Sequence, residues 1–515
     1  MTIELSGRAQ IDRTSPLYSR LLGAATRLAS KDSTLWGVQA QVEAEVRLNW
    51  VDLPRSSRSL IPEISELVEW AESAGLTNII LSGMGGSSLA PEVMSKSYQK
   101  KITVLDTTDP DQIQQAIPQS LRDTVLIIGS KSGSTVETAS HKALFEKLLL
   151  DEGLQPSDHL VIVTDPGSPF DQSAQAEGLR IINADPNVGG RYSALSAFGL
   201  VPAALMGIDI SELLADAEQA AETFTTAQSV AVGIAALIFA AGEQNIGFSD
   251  RGSVHPGLSD WIEQLIAEST GKNERGRLPI VLESLTAPLA GPGLLISLGG
   301  SAESTSDLIV TGTLGEHFIL WEWVTALLAL ALEVDPFNQP NVTEAKERTN
   351  SILEKWANGG QISPTPSYED SNLQIFSTST SSSLSEQFDD FFFNDSHYIA
   401  IMAYLARGID DEVAKTRAKI STKTGRGTTF GWGPRFLHST GQFHKGGQQN
   451  GAFIQITGEN EIDIDIPGRS FTFHTLLMAQ ALGDGEALTD RALPVMRIHL
   501  KNRRAGIAQI LDALK

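Results

Sequence analysis

Hydroxyl-bearing residues are concentrated in the stretch Gly129–Thr138, which directly follows an apolar run. Helical spacing of the apolar residues after it predicts a strand, a turn and a helix in that order. The first backbone amides of a helix have no partner inside it, so this turn could hold a phosphate dianion. The hydroxyls available to it are those of Ser130, Ser132 and Thr135. The alternative is capping alone, because Ser134 and Glu137 have capping-box spacing.

A second turn, Gly83–Ser88, follows another apolar run upstream. Its glycines would let the backbone approach an oxyanion closely, and Ser87 would donate beside them. The turn matches neither the dinucleotide-binding pattern nor a Walker loop. By itself it is a weak signal, but two such turns together favour phosphate binding over capping.

Two charged residues lie at a turn or a helix end, where their side chains could face a cleft. Arg191 stands in a glycine-flanked turn, where it either faces a cleft or bridges domains through a carboxylate. Glu268 lies beside the predicted end of a helix, where it is either a desolvated general base or an ordinary solvated carboxylate.

Two further candidates come later in the chain. Lys346 lies close to Glu344, so a surface ion pair is its default interpretation. His438 and His444 share a segment rich in polar residues and glycine, where a loop histidine is an acid–base candidate. Their spacing does not match the i, i+4 zinc pair, so we expect no metal site.

The elements that must position these residues form a repeating pattern. Five β-rich runs alternate with helical or polar segments, namely 78–81, 102–105, 125–128, 160–163 and 180–182. This pattern is typical of a parallel sheet covered on both faces, with ligands beyond the carboxyl ends of the strands. Both hydroxyl-rich turns fall at such ends.

The rest of the chain predicts a second domain of the same α/β kind. We expect a helical arm over 1–55, a first domain over 56–200 and a second over 201–515. The runs expected as strands of the second domain are 278–282, 294–298, 452–457, 462–466 and 496–500. Ser363–Ser385, rich in Ser, Thr and Pro, is expected to be a loop or a partly ordered insertion.

Composition excludes several classes of function. The 515-residue chain carries a formal charge of -23, which argues against nucleic-acid binding. It has no cysteine, which suits the cytoplasm and excludes thiol chemistry. The start lacks signal-peptide features, and the apolar stretches at 230–242 and 325–332 are shorter than the roughly 20 residues that cross a bilayer. We therefore expect buried helices there and no membrane partner.

Together these stretches resemble the phosphoglucose isomerase family. The matching segments are Gly83–Ser88, Ser130–Thr138, Val188–Ser193, Glu268–Lys272 and Phe337–Lys346. The resemblance implies two sugar-isomerase-type domains, each a parallel or mostly parallel sheet flanked by helices. The chain looks most similar to the bacterial branch that also occurs fused to transaldolase.

The family resemblance implies interconversion of glucose 6-phosphate and fructose 6-phosphate through a cis-enediol, in glycolysis and gluconeogenesis, without metal or cofactor. It assigns the phosphate to Ser87, Ser130, Ser132 and Thr135. It assigns proton transfer to Glu268, enediolate stabilisation to Arg191, and assistance in ring opening to Lys346. Further substrate contacts are expected at Gly86, Lys131, Gln264 and Gln339.

One histidine departs from the family order. The family places its ring-opening histidine between the glutamate and lysine motifs, where this chain has only His317. The segment beginning at His438, after Lys346, resembles the family's histidine motif, so we expect His438 to be the relocated ring-opening residue, with His317 as second choice. Since the family's histidine comes from a neighbouring subunit, a homodimer is implied; whether His438 acts in its own chain is open.

Two other functions compete with this interpretation. One is a regulator that binds a sugar phosphate without catalysis, which would not need Glu268, Arg191, Lys346 and a histidine together. The other is an isomerase that also accepts mannose 6-phosphate, which the sequence leaves undecided.

Overall fold

A computed structural model of the chain describes residues 3–242, 245–284, 286–290, 293–299, 306–357 and 365–515. The N-terminal segment contains β1 (Glu4–Ser6), α1 (Pro16–Ala29), α2 (Val38–Glu45), α3 (Leu53–Ser56) and α4 (Ile61–Ser73). The predicted N-terminal arm is therefore helical except for β1, which pairs antiparallel with a strand more than 300 residues later. That strand belongs to the second of three sheets.

The next segment forms the first sheet and its helices. Its elements are β2 (Asn78–Gly83), α5 (Leu89–Ser97), β3 (Thr103–Leu105), α6 (Pro110–Ala116), β4 (Thr124–Gly129), α7 (Val136–Asp151), β5 (Leu160–Thr164), α8 (Pro169–Glu177) and β6 (Arg180–Asn183). The strands lie in the order β3-β2-β4-β5-β6, and every pair is parallel. All five predicted strands of this sheet are confirmed.

A helix-rich segment carries the second sheet. Its elements are α9 (Ala197–Leu205), α10 (Ile210–Ala221), α11 (Val230–Ala240), β7 (Asn245–Ser249), α12 (Leu258–Thr270), β8 (Pro279–Val281), β9 (Gly293–Leu298), β10 (Leu308–Thr311), α13 (Leu314–Leu332) and α14 (Pro340–Ala357). The sheet order is β1-β10-β9-β7-β8, parallel except for β1.

The final segment forms a third sheet. Its elements are β11 (Tyr368–Glu369), β12 (Leu373–Phe376), α15 (Leu384–Phe392), β13 (Tyr398–Ala403), α16 (Thr416–Thr424), β14 (Gly427–Trp432), α17 (Gly441–Gly446), β15 (Gly451–Gly458), α18 (Phe473–Thr489), β16 (Val495–Leu500) and α19 (Arg503–Ala513). The order is β11-β12-β16-β15-β13-β14. The four strands from β16 to β14 are parallel, and β12 and β11 are antiparallel additions at one edge.

The predicted α/β class with mostly parallel sheets is confirmed, but three predictions about the later part of the chain were wrong. Residues after 200 build two sheets where the sequence suggested one. The run 462–466 is not a strand; within it only Asp465 makes an isolated bridge. The described part of Ser363–Ser385 contains β11 and β12, of which β12 is the short run Leu373–Phe376 that pairs with β16. Residues 363 and 364 lie outside the described ranges.

The two apolar stretches are buried helices, as predicted. One forms α11, and the other is the second half of α13. Among the described helices α13 is long and apolar enough to cross a membrane, yet 94% of its apolar window is buried inside the protein. A helix that is apolar on every side and covered by protein is typical of a core helix.

Candidate active site

One cavity lies at the carboxyl edge of the first sheet, where the two hydroxyl-rich turns meet. Gly83, the last residue of β2, is paired with Gly129, the last residue of β4, so the turns that follow start side by side. The cavity has a volume of about 540 Å³. Its walls include all twelve predicted site residues: Gly86, Ser87, Ser130, Lys131, Ser132, Thr135, Arg191, Gln264, Glu268, Gln339, Lys346 and His438. The structure therefore brings together residues spread over 350 positions of sequence.

The start of α7 is shaped to receive an anion rather than closed by a cap. Thr135 is the N-cap residue, and it makes no side-chain capping bond. The Ser130 hydroxyl donates to Thr135 Oγ1 at 3.1 Å, and the Ser132 and Ser134 hydroxyls lie 3.0 Å apart. Amides in the first turn of a helix attract negative charge. The predicted capping box was wrong, because the Glu137 side chain is used elsewhere.

Glycines allow the first turn to lie against the turn that carries Arg191. Gly85 has a φ of +53°, a left-handed conformation that disfavours other residues. A Cβ on Gly86 would lie 2.0 Å from the carbonyl oxygen of Gly190, which is shorter than any contact can be. The close approach of the two backbones thus requires glycine at position 86, and it fixes how near Arg191 comes to the phosphate turns.

Lys131 is already paired at the edge of the cavity. It donates to Asp165 and, at 3.1 Å, to the carbonyl of Pro186. Burial lowers the pKa of Lys131 and raises the pKa of Asp165, although their ion pair opposes both shifts. The pair brings little net charge to the cavity, so the hydroxyls and amides of the turns remain the main groups available to an anion.

Glu268 is held on both of its oxygens. It lies in the last turn of α12, is 6% exposed, and its Oε1 is 3.0 Å from Arg191 Nη1. Gln264, one turn earlier on the same helix, donates to Glu268 Oε2 at 3.1 Å. The carboxylate is thereby fixed at the wall of the cavity and shielded from bulk water. A positioned, partly desolvated carboxylate is what a general base requires.

The guanidinium of Arg191 joins the base to the loop before α14. Besides Glu268, it donates to Gln339 Oε1 at 2.6 Å and to Ser269 Oγ at 2.9 Å. It also donates to the carbonyls of Pro336 and Asn338. Both sequence interpretations of Arg191 therefore hold, since it lines the cleft and bridges to a carboxylate.

A buried lysine lies behind this group. Lys272 donates to the carbonyl of Asp335 and is 3% exposed. Burial lowers the pKa of Lys272 well below its ordinary value, and the neighbouring Arg191 lowers it further, while Asp335 and Glu268 oppose the shift. The lowered pKa makes Lys272 a less dependable cation than an arginine. The guanidinium of Arg191 is therefore the principal fixed cation beside Glu268.

His438 reaches the cavity from the third-sheet segment of the same chain. It ends a short 3-10 turn, Arg435–His438, and its Nε2 lies 3.0 Å from Glu137 Oε1. Gln480 donates to the same Glu137 oxygen at 2.7 Å. Burial would raise the pKa of Glu137, but His438 and, more weakly, Lys346 lower it to about 2. The Glu137 carboxylate is therefore ionised.

The segment that begins at His438 is hydrogen-bonded to the end of α12 and to the start of α14. Gln264 donates to the carbonyl of His438 at 2.8 Å. Gln442 donates to the carbonyl of Gly271 at 2.9 Å and accepts from the amide of Asn341 at 3.0 Å. These bonds join the end of α12, the start of α14 and the histidine segment into one unit.

Lys346 extends from the second turn of α14 and is exposed to solvent. The expected surface pair with Glu344 does not form, because Glu344 binds Arg491 at 2.6 Å and Arg348 at 3.1 Å. Lys346 instead lies at the cavity wall together with His438.

The other two histidine candidates lie away from this cavity. His317 is buried in α13 with its ring 5.5 Å from that of His255, and burial lowers its pKa to about 3. His444 is buried beside Tyr398, and burial lowers its pKa to about 3 as well. Neither lines the cavity, so the geometry favours His438 over the second choice, His317.

Sequence reasoning missed one functional carboxylate and several wall residues. Glu137 was interpreted as a cap, although it is the partner of His438. Glu43, Arg47, Asp165 and Asn338 also line the cavity. No local pattern marks Glu137 or Asp165, because their partners His438 and Lys131 lie far away in sequence. Glu43 and Arg47 form an i,i+4 ion pair with each other, which carries no sign of a site.

Solved structures place the fold in a known class. The crystal structure of a glucose-6-phosphate isomerase from Chlamydia trachomatis superposes with a TM-score of 0.56, covering 69% of this chain and 89% of that one. Sequence identity is 18%, so the likeness concerns the fold alone. The chain therefore shares the α/β fold of that structure.

Sequence comparison matches one part of the chain to a known family. Residues 56–250 match the family model of phosphoglucose isomerase. A glucose-6-phosphate isomerase from Cyanothece is 37% identical over 218 residues, 38% of this chain and 40% of that protein. One from Thermus thermophilus is 34% identical over 242 residues, 44% of this chain and 56% of that protein. The chain spans about half the length of the curated relatives it matches.

Proposed function

We propose that this chain is an aldose-ketose isomerase that interconverts glucose 6-phosphate and fructose 6-phosphate through a cis-enediol. The observation that carries the proposal is a cavity in which an anion cradle, the buried Glu268–Arg191 pair and His438 face one another, with Glu137 bound to the His438 imidazole. The segment that contains the cradle matches the family model of phosphoglucose isomerase.

The phosphate would bind between the turns after β2 and β4. Ser87, Ser130, Ser132 and Thr135 would donate hydroxyls, and Gly86 and Lys131 would contact the substrate beside them. This end of the sugar does not react, so its binding energy can hold the reacting carbons in register. Gln264 donates a hydrogen bond to Glu268, and Gln339 accepts one from Arg191. Both glutamines would therefore contact the sugar on that side of the cavity.

Glu268 would move the proton between C1 and C2. A single carboxylate poised over two adjacent carbons can remove the proton from one and return it to the other, and a positioned base contributes roughly 10² to 10⁴ in rate. Arg191 would stabilise the negative charge that develops on the enediolate oxygen, because a guanidinium stays charged at physiological pH.

His438 would open the sugar ring before the proton transfer. Its imidazole would exchange a proton with the ring oxygen, and Glu137 would hold the ring and stabilise its charged form. Lys346, at the same wall, would assist as a second cation. The proposed steps require no metal or cofactor.

The homodimer implied by the family stays a prediction. Within one chain His438 and Glu268 line the same cavity, so the proposed reaction does not need a residue from a second copy. The assignment to glycolysis and gluconeogenesis follows from the proposed reaction. The cytoplasmic location and the resemblance to the branch fused to transaldolase stay predictions, as does the absence of nucleic-acid and membrane partners.

A coupled assay of fructose 6-phosphate conversion tests the proposal, run with and without a metal chelator. We expect formation of glucose 6-phosphate at the same rate in both. Absence of conversion would overturn the assigned reaction, and loss of activity on chelation would overturn the metal-free mechanism.

A further inference from the structure

A buried ion-pair cluster lies directly beside the turn that carries His438. Arg435 Nη2 donates to Glu92 Oε2 at 2.6 Å, and its Nε lies 3.1 Å from Asp106 Oδ2. The side chains are 12%, 12% and 3% exposed, so the cluster is largely desolvated. Arg407 and Lys96 also approach Glu92 at 2.8 Å. Buried charges are tolerated only when they are paired in this way.

The cluster connects two parts of the fold that sequence keeps apart. Arg435 starts the 3-10 turn that ends at His438 and follows β14 of the third sheet. Glu92 lies in α5, directly after the first phosphate turn, and Asp106 follows β3 of the first sheet. The guanidinium therefore anchors the histidine turn to the same sheet that presents the phosphate turns and Glu137.

The two ends of the histidine turn are anchored by different contacts. Gln264 of α12 holds the His438 carbonyl at 2.8 Å, and Glu137 meets the imidazole itself. At the start of the turn, Arg435 pairs with Glu92 and Asp106 of the first-sheet segment. An arginine suits this role, because its planar fork can reach two carboxylates at once.

We propose that Arg435 is a positioning residue for ring opening, which acts by holding His438 against Glu137 and the cavity. The inference rests on the proposed function. It predicts that loosening Arg435 slows the step that His438 performs and spares the proton transfer by Glu268, since Arg191 holds that carboxylate independently of the histidine turn. Misplacing a reacting group by about 1 Å can lower a rate by roughly 10²-fold.

The test compares Arg435→Lys with a matched control, Arg503→Lys. Arg503 also joins the third-sheet segment to the first sheet, with Asp109 at 2.7 Å and Asp410 at 3.0 Å, and its side chain is 10% exposed. It lies far from His438 in the chain and outside the cavity lining. The control therefore reports general loosening of the contact between the segments.

Each variant is assayed with two substrates. One is fructose 6-phosphate, which must be ring-opened. The other is 5-deoxyfructose 6-phosphate, which lacks the hydroxyl that closes the furanose ring. For Arg435→Lys we expect kcat to fall by roughly ten- to a hundredfold with the first and to stay unchanged with the second. For Arg503→Lys we expect no difference between the substrates.

Several outcomes decide between the explanations. Equal loss with both substrates, or no loss with either, would overturn the positioning role. Turnover of fructose 6-phosphate but not of the analogue by the unaltered protein would overturn a separate ring-opening step and this inference with it. No turnover of either substrate by the unaltered protein would overturn the proposed function itself. If Arg435→Lys does not fold, the second variant is Asp106→Asn, which keeps the arginine and weakens one of its ion pairs. It should show the same selective loss of fructose 6-phosphate turnover, with a smaller fall in kcat.

Discussion

Replacing Glu137 with glutamine removes the negative charge that faces His438 and keeps a side chain of the same length. Glu137 Oε1 lies 3.0 Å from His438 Nε2 and also accepts from Gln480 at 2.7 Å. A glutamine still offers one oxygen, so the bond from Gln480 can remain. We expect ring opening to slow, because a neutral partner stabilises a protonated imidazole less than a carboxylate does.

The pKa of Glu137 gives the size of the effect. Burial raises the pKa, but His438 and other contacts bring it from an ordinary 4.5 to about 2, which corresponds to about 3 kcal/mol in favour of the carboxylate. Since each 1.36 kcal/mol is tenfold in rate, we expect ring opening to slow by on the order of 10²-fold. A lowered pKa means that this stabilisation is fully present above about pH 4.5 and is lost only as the pH falls through about 2. Glu137 itself therefore keeps its charge across neutral pH.

The assay uses fructose 6-phosphate and its 5-deoxy analogue side by side. We expect Glu137→Gln to lose turnover of the first by roughly ten- to a hundredfold and to keep turnover of the second. Glu146→Gln is the control, because Glu146 lies on the same helix, pairs with Lys142 and is outside the cavity lining. An equal loss with both substrates would refute the reasoning.

Three further predictions follow from the same cavity. His438→Asn should lower turnover of the cyclic substrate by roughly 10²- to 10⁴-fold, whereas His317→Asn should leave kcat unchanged; the reverse result in steady-state assays would reassign the acid–base residue. Gly86→Ala should raise KM strongly, because the added Cβ would lie 2.0 Å from the carbonyl oxygen of Gly190. The control Gly23→Ala, where a Cβ would enter open space, should leave KM unchanged. An unchanged KM in Gly86→Ala would show that the turn is not part of the substrate site. Mixing Glu268→Gln and His438→Asn proteins should restore no activity, since both residues serve one cavity in one chain; recovered activity would show that His438 acts across a dimer.

The sequence predicted the first sheet well because its central strands are apolar runs buried on both faces. Such runs carry their own signal, and the turns between them are marked by glycine and hydroxyl residues. The strands β11 and β12 carry a weaker signal, since they are 2 and 4 residues long and lie in a segment rich in Ser and Thr. Local composition alone therefore suggested a loop where tertiary contacts build a sheet edge.

The candidate site shows the same division. Ser130, Ser132 and Thr135 were found because their spacing in one turn is itself the signal. Glu137 was misinterpreted, because the capping rule considers only its near neighbours, and its actual partner His438 is 301 residues away. Its role could be found only once the fold had brought the third-sheet segment against the start of α7.

The central claim is that Glu268 carries a proton between C1 and C2 of a sugar phosphate. The most direct measurement is exchange of the C2 proton of glucose 6-phosphate with heavy water, followed by NMR. The unaltered protein should catalyse the exchange, and Glu268→Gln should lose roughly 10²- to 10⁴-fold in exchange rate while it still binds the sugar phosphate. Glu263→Gln, on the same helix but outside the cavity lining, should exchange normally. Exchange at the unaltered rate in Glu268→Gln would contradict the account.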